Sequence, residues 1–408
     1  MSMGDTTAKN REPKRLAIKL SAAGERSIHT EHPWIFSDSI EKVSKDGNAG
    51  DLAIIFSKRA NSVIGVGLYD PSSPIAIKML HHGSGATIDA AFFRKKIQRA
   101  FALRMPLLKT KTNSYRLLFG ENDGFPGLIV DVYNDTAVIK VYSEIWEPYL
   151  PLIVPAISTV AGTETVVLRL SRKLLQSKNH KLGDGQVLLG TLDSEEVEFL
   201  EHGIRFTANV IKGHKTGYFL DHRHNRKKVG ALAKGKTVLD VFCYAGGFSV
   251  HALVGGAKQV TSIDISEQAL EVAKANGALN SFTGTHQVVA NDAFAELADM
   301  AKENRTFNLV VLDPPSLASK KDQTAIAKKK YEQLAQLGAK VTGKNGYLVV
   351  ASCSSRVPAT DFFEIVKKVL DASGRKYKLL EQTYHDTDHP VTFPEGSYLK
   401  CGYYQFKD

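Results

Sequence analysis

The rhythm of hydrophobic and polar positions changes twice along the chain. Between residues 14 and 85, short aliphatic runs are broken by Gly, Asp, Asn, Ser and Pro. Leu16 to Leu20, Asp51 to Phe56, Ser62 to Leu68 and Ile75 to Met79 read as strands. Four strands in so short a stretch predict a small β barrel. A helix is predicted near Asp89 to Arg104, with Arg94, Lys95, Lys96 and Arg99 within two turns as a candidate RNA-facing patch. Residues from about 113 to 207 read as mixed α/β, with strands at 127–133, 136–142 and 165–170. The first two are joined by Asn134-Asp135, a hairpin-like turn, and helical periodicity runs from Trp146 to Val160. From about residue 235, apolar strands at 237–242, 259–264, 286–290, 307–312 and 346–351 alternate with helices at 266–280, 293–302 and 322–341. Such alternation predicts a parallel sheet with helices on both faces. Ligands of these sheets bind beyond the carboxyl ends of the strands.

The strand ends carry an ordered set of polar and glycine residues. The first ends in Asp240-Val241-Phe242-Cys243-Tyr244-Ala245-Gly246-Gly247, where glycines let a backbone approach a ligand closely. The second ends in Asp264-Ile265, placing a carboxylate where ribose hydroxyls are bound. The third leads into Asn291-Asp292, within reach of an adenine. No G-x-G-x-x-G pyrophosphate cradle and no P-loop is present. A phosphate-free nucleoside with an amino-acid tail therefore fits best, with Asp240 meeting its ammonium group. The fourth strand ends in Asp313-Pro314-Pro315-Ser316, whose prolines rigidify the exit and aim a carboxylate. The fifth ends in Ser352-Cys353-Ser354, a thiol at the ligand-facing edge.

Composition narrows the setting. The 408 residues suffice for two or three domains, and the net charge is +10. The first 120 residues hold 19 basic and 10 acidic side chains; the rest hold 34 and 33. A basic first third beside a near-neutral remainder suits a polyanion docked by one part and modified by another. Three cysteines offer neither a disulfide framework nor CxxC metal spacing, so no metal is expected. No apolar run approaches membrane-helix length, and the opening residues lack a signal-peptide core. These features predict a soluble, cytoplasmic protein with no membrane partner.

These motifs resemble the class I methyltransferases that use S-adenosyl-L-methionine. More closely, the chain resembles the PUA-domain-containing ribosomal RNA large-subunit methyltransferases of cytosine-C5 type. The resemblance spans almost the whole chain. It is carried by His32-Pro33-Trp34-Ile35-Phe36, Asn122 to Leu128, Lys215-Thr216-Gly217-Tyr218-Phe219-Leu220-Asp221-His222-Arg223, Phe242 to Ser249, Asp313 to Ser316 and Ser352-Cys353-Ser354. The polar opening predicts a disordered N-terminus over 1–13, and the resemblance implies a PUA-like RNA-binding β barrel over 14–85 and an α/β middle domain over 86–207. A Rossmann-like methyltransferase domain would occupy 208–408. Tyr218, Phe219, Asp221 and Arg223 would line the cofactor or substrate cleft. Asp240, Phe242, Tyr244, Ala245, Gly246, Asp264, Ile265, Asn291, Asp292 and Asp313 would hold the cofactor or target base. Relatives commonly carry Thr where this chain has Ala245. The second cysteine of many RNA cytosine-C5 enzymes is absent after Pro315, as in the family itself, so Cys353 would act alone.

The expected reaction is methyl transfer to ribosomal RNA, with Cys353 adding to C6 of a cytosine so that C5 becomes nucleophilic, and Asp313 assisting. Ribosomal RNA or a ribosomal subunit is the expected partner, and a homodimer stays open. Guanine-N7 transfer without covalent catalysis is the alternative. A small-molecule methyltransferase with a binding appendage and a non-catalytic RNA-binding protein that retains a cofactor fold are further readings.

Overall fold

The computed structural model describes residues 11–177, 180–318 and 320–408. The disorder expected for residues 1–13 lies, for residues 1–10, outside the described residues. The chain divides into two compact units. One comprises Met1–Lys109, Asn113–Glu198 and Ala208–Tyr218; the other comprises Thr110–Thr112, Phe199–Thr207 and Phe219–Asp408.

The first unit begins with β1 (Arg15–Leu20), α1 (Ala22–His29), β2 (Trp34–Ile35), β3 (Ile40–Val43), β4 (Leu52–Phe56), β5 (Val63–Tyr69) and β6 (Ile77–His82). These strands form one six-stranded sheet in the order β2-β6-β5-β4-β1-β3. Alternation in β1 buries Leu16, Ile18 and Leu20 and leaves Arg15 and Lys19 outside. The helix α2 (Ala90–Leu108) follows, capped by the Asp89 side chain on the Phe92 amide. A second sheet contains β7 (Ser114–Phe119), β8 (Leu128–Tyr133), β9 (Thr136–Val141), β10 (Thr165–Leu170) and β11 (Gln186–Leu189), in the order β11-β10-β9-β8-β7. The predicted hairpin joins β8 to β9, with Asn134 at φ +55°. Helices α3 (Leu150–Ala161) and α4 (Arg172–Gln176) complete this part.

The two sheets of this unit share one hydrophobic core. Leu52, Val66, Leu68 and Leu80 belong to the same buried cluster as Phe93, Phe125 and Trp146. Tyr149 donates to the Gly50 carbonyl at 2.8 Å across it. The predicted patch on α2 divides accordingly. Arg94, Lys95 and Arg99 are exposed, whereas Lys96 turns inward to the carbonyls of Leu80 and Gly124, each at 2.8 Å.

Strands β12 (Glu196–Glu201) and β13 (Ile204–Asn209) form a hairpin where the chain passes from one unit to the other. The second unit continues through α5 (Arg223–Leu232), β14 (Thr237–Val241), α6 (Gly247–Val254), β15 (Gln259–Asp264), α7 (Glu267–Ala278), β16 (Thr285–Ala290) and α8 (Ala293–Lys302). It ends with β17 (Phe307–Leu312), α9 (Thr324–Val341), β18 (Thr342–Ser352), α10 (Ala359–Ala372), β19 (Tyr377–Thr383) and β20 (Lys400–Phe406). The seven strands run in the order β16-β15-β14-β17-β18-β20-β19. Strands β14 to β18 are mutually parallel, and β20 runs antiparallel to both its neighbours. Each face has its own core: α5 and α6 pack with Val238 and Val311, and α8, α9 and α10 pack with Leu239, Val241 and Leu312. This is the predicted α/β, Rossmann-like sheet.

Candidate active site

The loop after β14 is bent by three consecutive alternations of backbone hand. Phe242, Tyr244 and Gly246 adopt φ +64°, +47° and +76°. Two of these are non-glycine residues in the left-handed region, a conformation that persists only where surrounding contacts over-determine it. Those contacts are present. Cys243 N–H donates to Ile263 O at 3.0 Å, and Tyr244 N–H donates to Asp264 Oδ2 at 2.9 Å. Gly246 starts α6, and a Cβ there would lie 2.8 Å from the Ala273 Cβ on α7. Only hydrogen at that position lets the turn close against α7. Asn276 on α7 donates to the Ala245 carbonyl at 2.9 Å.

Asp240 is fully buried beneath this loop. Its Oδ2 accepts from Ser249 N–H at 2.9 Å and Ser249 Oγ at 2.6 Å. Its Oδ1 is buried with no hydrogen-bond partner among the described residues. Burial holds the carboxyl pKa up at about 7, reinforced by the negative charges of Asp313 and Asp264 and opposed by the Ser249 bonds. An unpartnered, buried carboxylate oxygen calls for a cationic donor. An amino-acid ammonium group supplies one, so Asp240 and the cradle at Gly246 fit the methionine end of S-adenosylmethionine.

The other strand ends gather around this loop. Asp264 accepts Tyr244 N–H through Oδ2 and Ser266 N–H through Oδ1, and both oxygens keep lone pairs for hydroxyl donors. Ile265, 76% exposed, presents an aliphatic face beside it. Asn291 and Asp292 are exposed, and Asp292 caps α8 through the Ala295 amide at 2.9 Å. Phe219, 37% exposed, meets Tyr244 edge-on at 5.1 Å. Asp221 accepts from Tyr398 Oη at 2.8 Å.

At the ends of β17 and β18 lie Asp313 and Cys353. Cys353 is partly exposed, with Sγ 3.8 Å from the Pro314 carbonyl. Burial first, then the charges of Asp313 and Asp221, push its thiol up to about 12, with Lys400 opposing. Ser352 beside it donates to Tyr331 Oη on α9 at 2.8 Å. Cys243 and Cys401 are buried, and Cys401 sits in the hydrophobic core of the α5–α6 face.

Two members of the predicted set make structural contacts of their own. Tyr218 belongs to the first unit, where its backbone N–H and carbonyl both bond Tyr133 Oη. Arg223 is fully buried on α5, and its guanidinium grips Asp388 through both terminal nitrogens, at 3.0 and 2.6 Å, and Asp386 at 3.0 Å. Its side chain therefore braces the loop between β19 and β20. Two further groups have no role predicted from sequence, although one of them, His222, lies within the Lys215 to Arg223 motif. His222 Nε2 lies 3.2 Å from Asp313 Oδ1, an ion-pair distance without the directionality of a hydrogen bond. Lys400, 3% exposed, enters at the first residue of β20.

Comparisons with known proteins bear on the family and the fold. The family model for S-adenosylmethionine-dependent methyltransferases matches residues 159–363, and a PUA-like domain model matches 18–82. A ribosomal RNA large subunit methyltransferase of Deinococcus radiodurans is 39% identical, covering 96% of this chain and 97% of that protein. Ribosomal RNA large subunit methyltransferase I of Tolumonas auensis is 34% identical, covering 94% and 97%. A solved structure of a candidate S-adenosylmethionine-dependent methyltransferase from Streptococcus mutans superposes with a TM-score of 0.79 at 21% identity, covering 95% and 99% of the two chains. A candidate methyltransferase complexed with SAH gives 0.80 at 22% identity, covering 96% and 100%.

Proposed function

Because the chain belongs to the S-adenosylmethionine-dependent ribosomal RNA large subunit methyltransferases that carry a PUA-like domain, we propose that it methylates C5 of a cytosine in large-subunit ribosomal RNA. The observation that carries this reading is the partly exposed Cys353 thiol at the ligand edge of the sheet, beside the Asp313-Pro314 turn.

When bound, the cofactor supplies an electrophilic methyl group on a sulfonium. Asp240 would pair with its ammonium, Asp264 with the ribose hydroxyls, and Ile265 and Asn291-Asp292 would flank the adenine. Phe219, Asp221, Phe242, Tyr244, Ala245 and Gly246 would shape the remaining wall. Cys353 Sγ adds to C6 of the cytosine, and the C5–C6 electron pair is then available at C5 to take up the methyl. Asp313 contacts the cytosine edge or receives the C5 proton, and the C5–H electron pair restores the C5–C6 double bond as the S–C6 bond breaks and Cys353 leaves as its thiolate. The target base must leave its stack to reach such a cleft, at a cost of roughly a few kcal/mol. Phosphate contacts from the basic first third help offset it.

A second reading draws on the same thiol. Its pKa of about 12 leaves little thiolate at neutral pH, which favours guanine N7, a nucleophile that needs no cysteine. Mass-spectrometric mapping of large-subunit RNA from cells lacking the protein decides between them. Loss of one 5-methylcytosine, restored by wild type but not by Cys353→Ala, is the expected result. Loss of a 7-methylguanosine, or full rescue by Cys353→Ala, overturns the cytosine reading.

A further inference from the structure

The first residue of β20 lies opposite Ser352 in the antiparallel ladder, so Lys400 enters the sheet at the edge where Cys353 leaves it. The side chain is buried, and its Nζ donates to the carbonyls of Ser354 and Tyr398. Among the described residues no carboxylate forms an ion pair with it. A buried, unpaired ammonium is costly, and burial brings its pKa down to about 8. The charge interaction that favours its protonated form comes from Cys353, and Lys400 in turn favours the thiolate of Cys353.

We propose that Lys400 is a positioning residue for Cys353: it ties down the backbone immediately after the thiol and provides the positive charge that stabilises the thiolate. The inference rests on the reading of Cys353 as nucleophile. The charged and titratable groups around the thiol act in opposite senses. Asp313 after β17 and Asp221 before α5 oppose ionisation, the Tyr331 phenol on α9 stays neutral because burial raises its pKa, and Lys400 on β20 is the cation that favours it. A lysine ammonium has three N–H donors, and the carbonyls of Ser354 and Tyr398 occupy two of them. With Lys400 already protonated, the proton leaving Cys353 Sγ passes to water, and the thiolate that remains is balanced by the ammonium charge.

The test reads thiol chemistry rather than methylation. Iodoacetamide alkylation of each cysteine is followed by peptide mass spectrometry between pH 7 and 10, with buried Cys243 and Cys401 as internal references. Because alkylation tracks the thiolate fraction, Lys400→Gln is expected to slow Cys353 roughly tenfold, and Lys400→Arg to keep it within about twofold of wild type below pH 8. Equal rates in all three proteins overturn the proposal. If Lys400→Gln does not fold, wild type and Lys400→Arg decide. The guanidinium keeps its charge above pH 8 where lysine loses its own, so the arginine variant should alkylate faster there, and superposable profiles overturn the proposal. Full methylation by Cys353→Ala would remove the covalent reading while leaving this alkylation result standing.

Discussion

His222 Nε2 faces Asp313 Oδ1 at 3.2 Å, with the imidazole buried against Phe248 and the carboxylate at the mouth of the sheet. Burial alone would lower the imidazole pKa, but the Asp313 carboxylate, aided by Asp221, outweighs it and raises it. A histidine that holds its proton more tightly folded than unfolded contributes stability below about pH 6.5, the unfolded value, and loses it as pH climbs through the folded value. His222→Gln should therefore destabilise the protein by on the order of 1–2 kcal/mol at pH 6. Asp313 keeps part of its surface in water, which limits the effect. The gap in Tm between wild type and variant should narrow towards pH 9; a gap that widens would refute the pairing.

Asp240 has the opposite balance. Its raised pKa means that the folded chain bears a cost for the ionised carboxylate, growing from about pH 4 to about pH 7. Asp240→Asn should raise the Tm of the cofactor-free protein at pH 8 while weakening S-adenosylmethionine binding by tenfold or more, about 1.4 kcal/mol. Calorimetric titration of wild type should show tighter binding at pH 8 than at pH 6, and the variant should be nearly flat. A variant that binds as wild type does would remove Asp240 from the cofactor site.

Gly246→Ala tests the turn. The added Cβ meets Ala273, and φ +76° disfavours any side chain. A cost of about 1–3 kcal/mol is expected, with loss of cofactor binding exceeding what the lowered stability explains. Denaturation and binding measured on the same preparation separate the two.

Much of this arrangement was legible because parallel strands announce themselves twice, by an apolar run and by the polar residues at its carboxyl end. Asp240, Asp264, Asp292, Asp313 and Cys353 all lie just at or beyond such runs. The helix α8 matched its predicted span of 293–302, since Asp292 caps it and Lys302 ends it. The features that escaped were antiparallel or distant. Lys400 reaches the ligand edge through the amino end of its strand, where a rule built on carboxyl ends does not look. The partners of Arg223 are more than 160 residues away in sequence, a separation that no local spacing records. Lys96 looked like its exposed neighbours until the carbonyls it serves were placed.

Arg223 and Asp388 are both fully enclosed. Removing one partner strands the other, so Arg223→Met should cost about 3–5 kcal/mol, and Arg223→Met with Asp388→Leu much less than the sum of the two single changes. Chemical denaturation of the four proteins completes the cycle. Additive costs would show that the pair is not coupled.

The exposed residues Arg94, Lys95 and Arg99 on α2 offer a phosphate-binding face. Reversing all three to Glu should weaken binding to large-subunit RNA and flatten the dependence of log affinity on log salt by about 2–3 units. An unchanged slope would place the RNA on another surface.

Strand β20 sits between β18 and β19. Strand β19 is synthesised first yet has no place in the sheet until residues 400–406 exist to bridge it to β18. The sheet therefore cannot be completed in the order in which it is made. A chain interrupted anywhere after β19 but before Phe406 would hold an orphaned strand and an open edge on β18. In chain order the strands are laid down from β14 outwards, and Lys400 arrives with β20, the strand that closes the sheet.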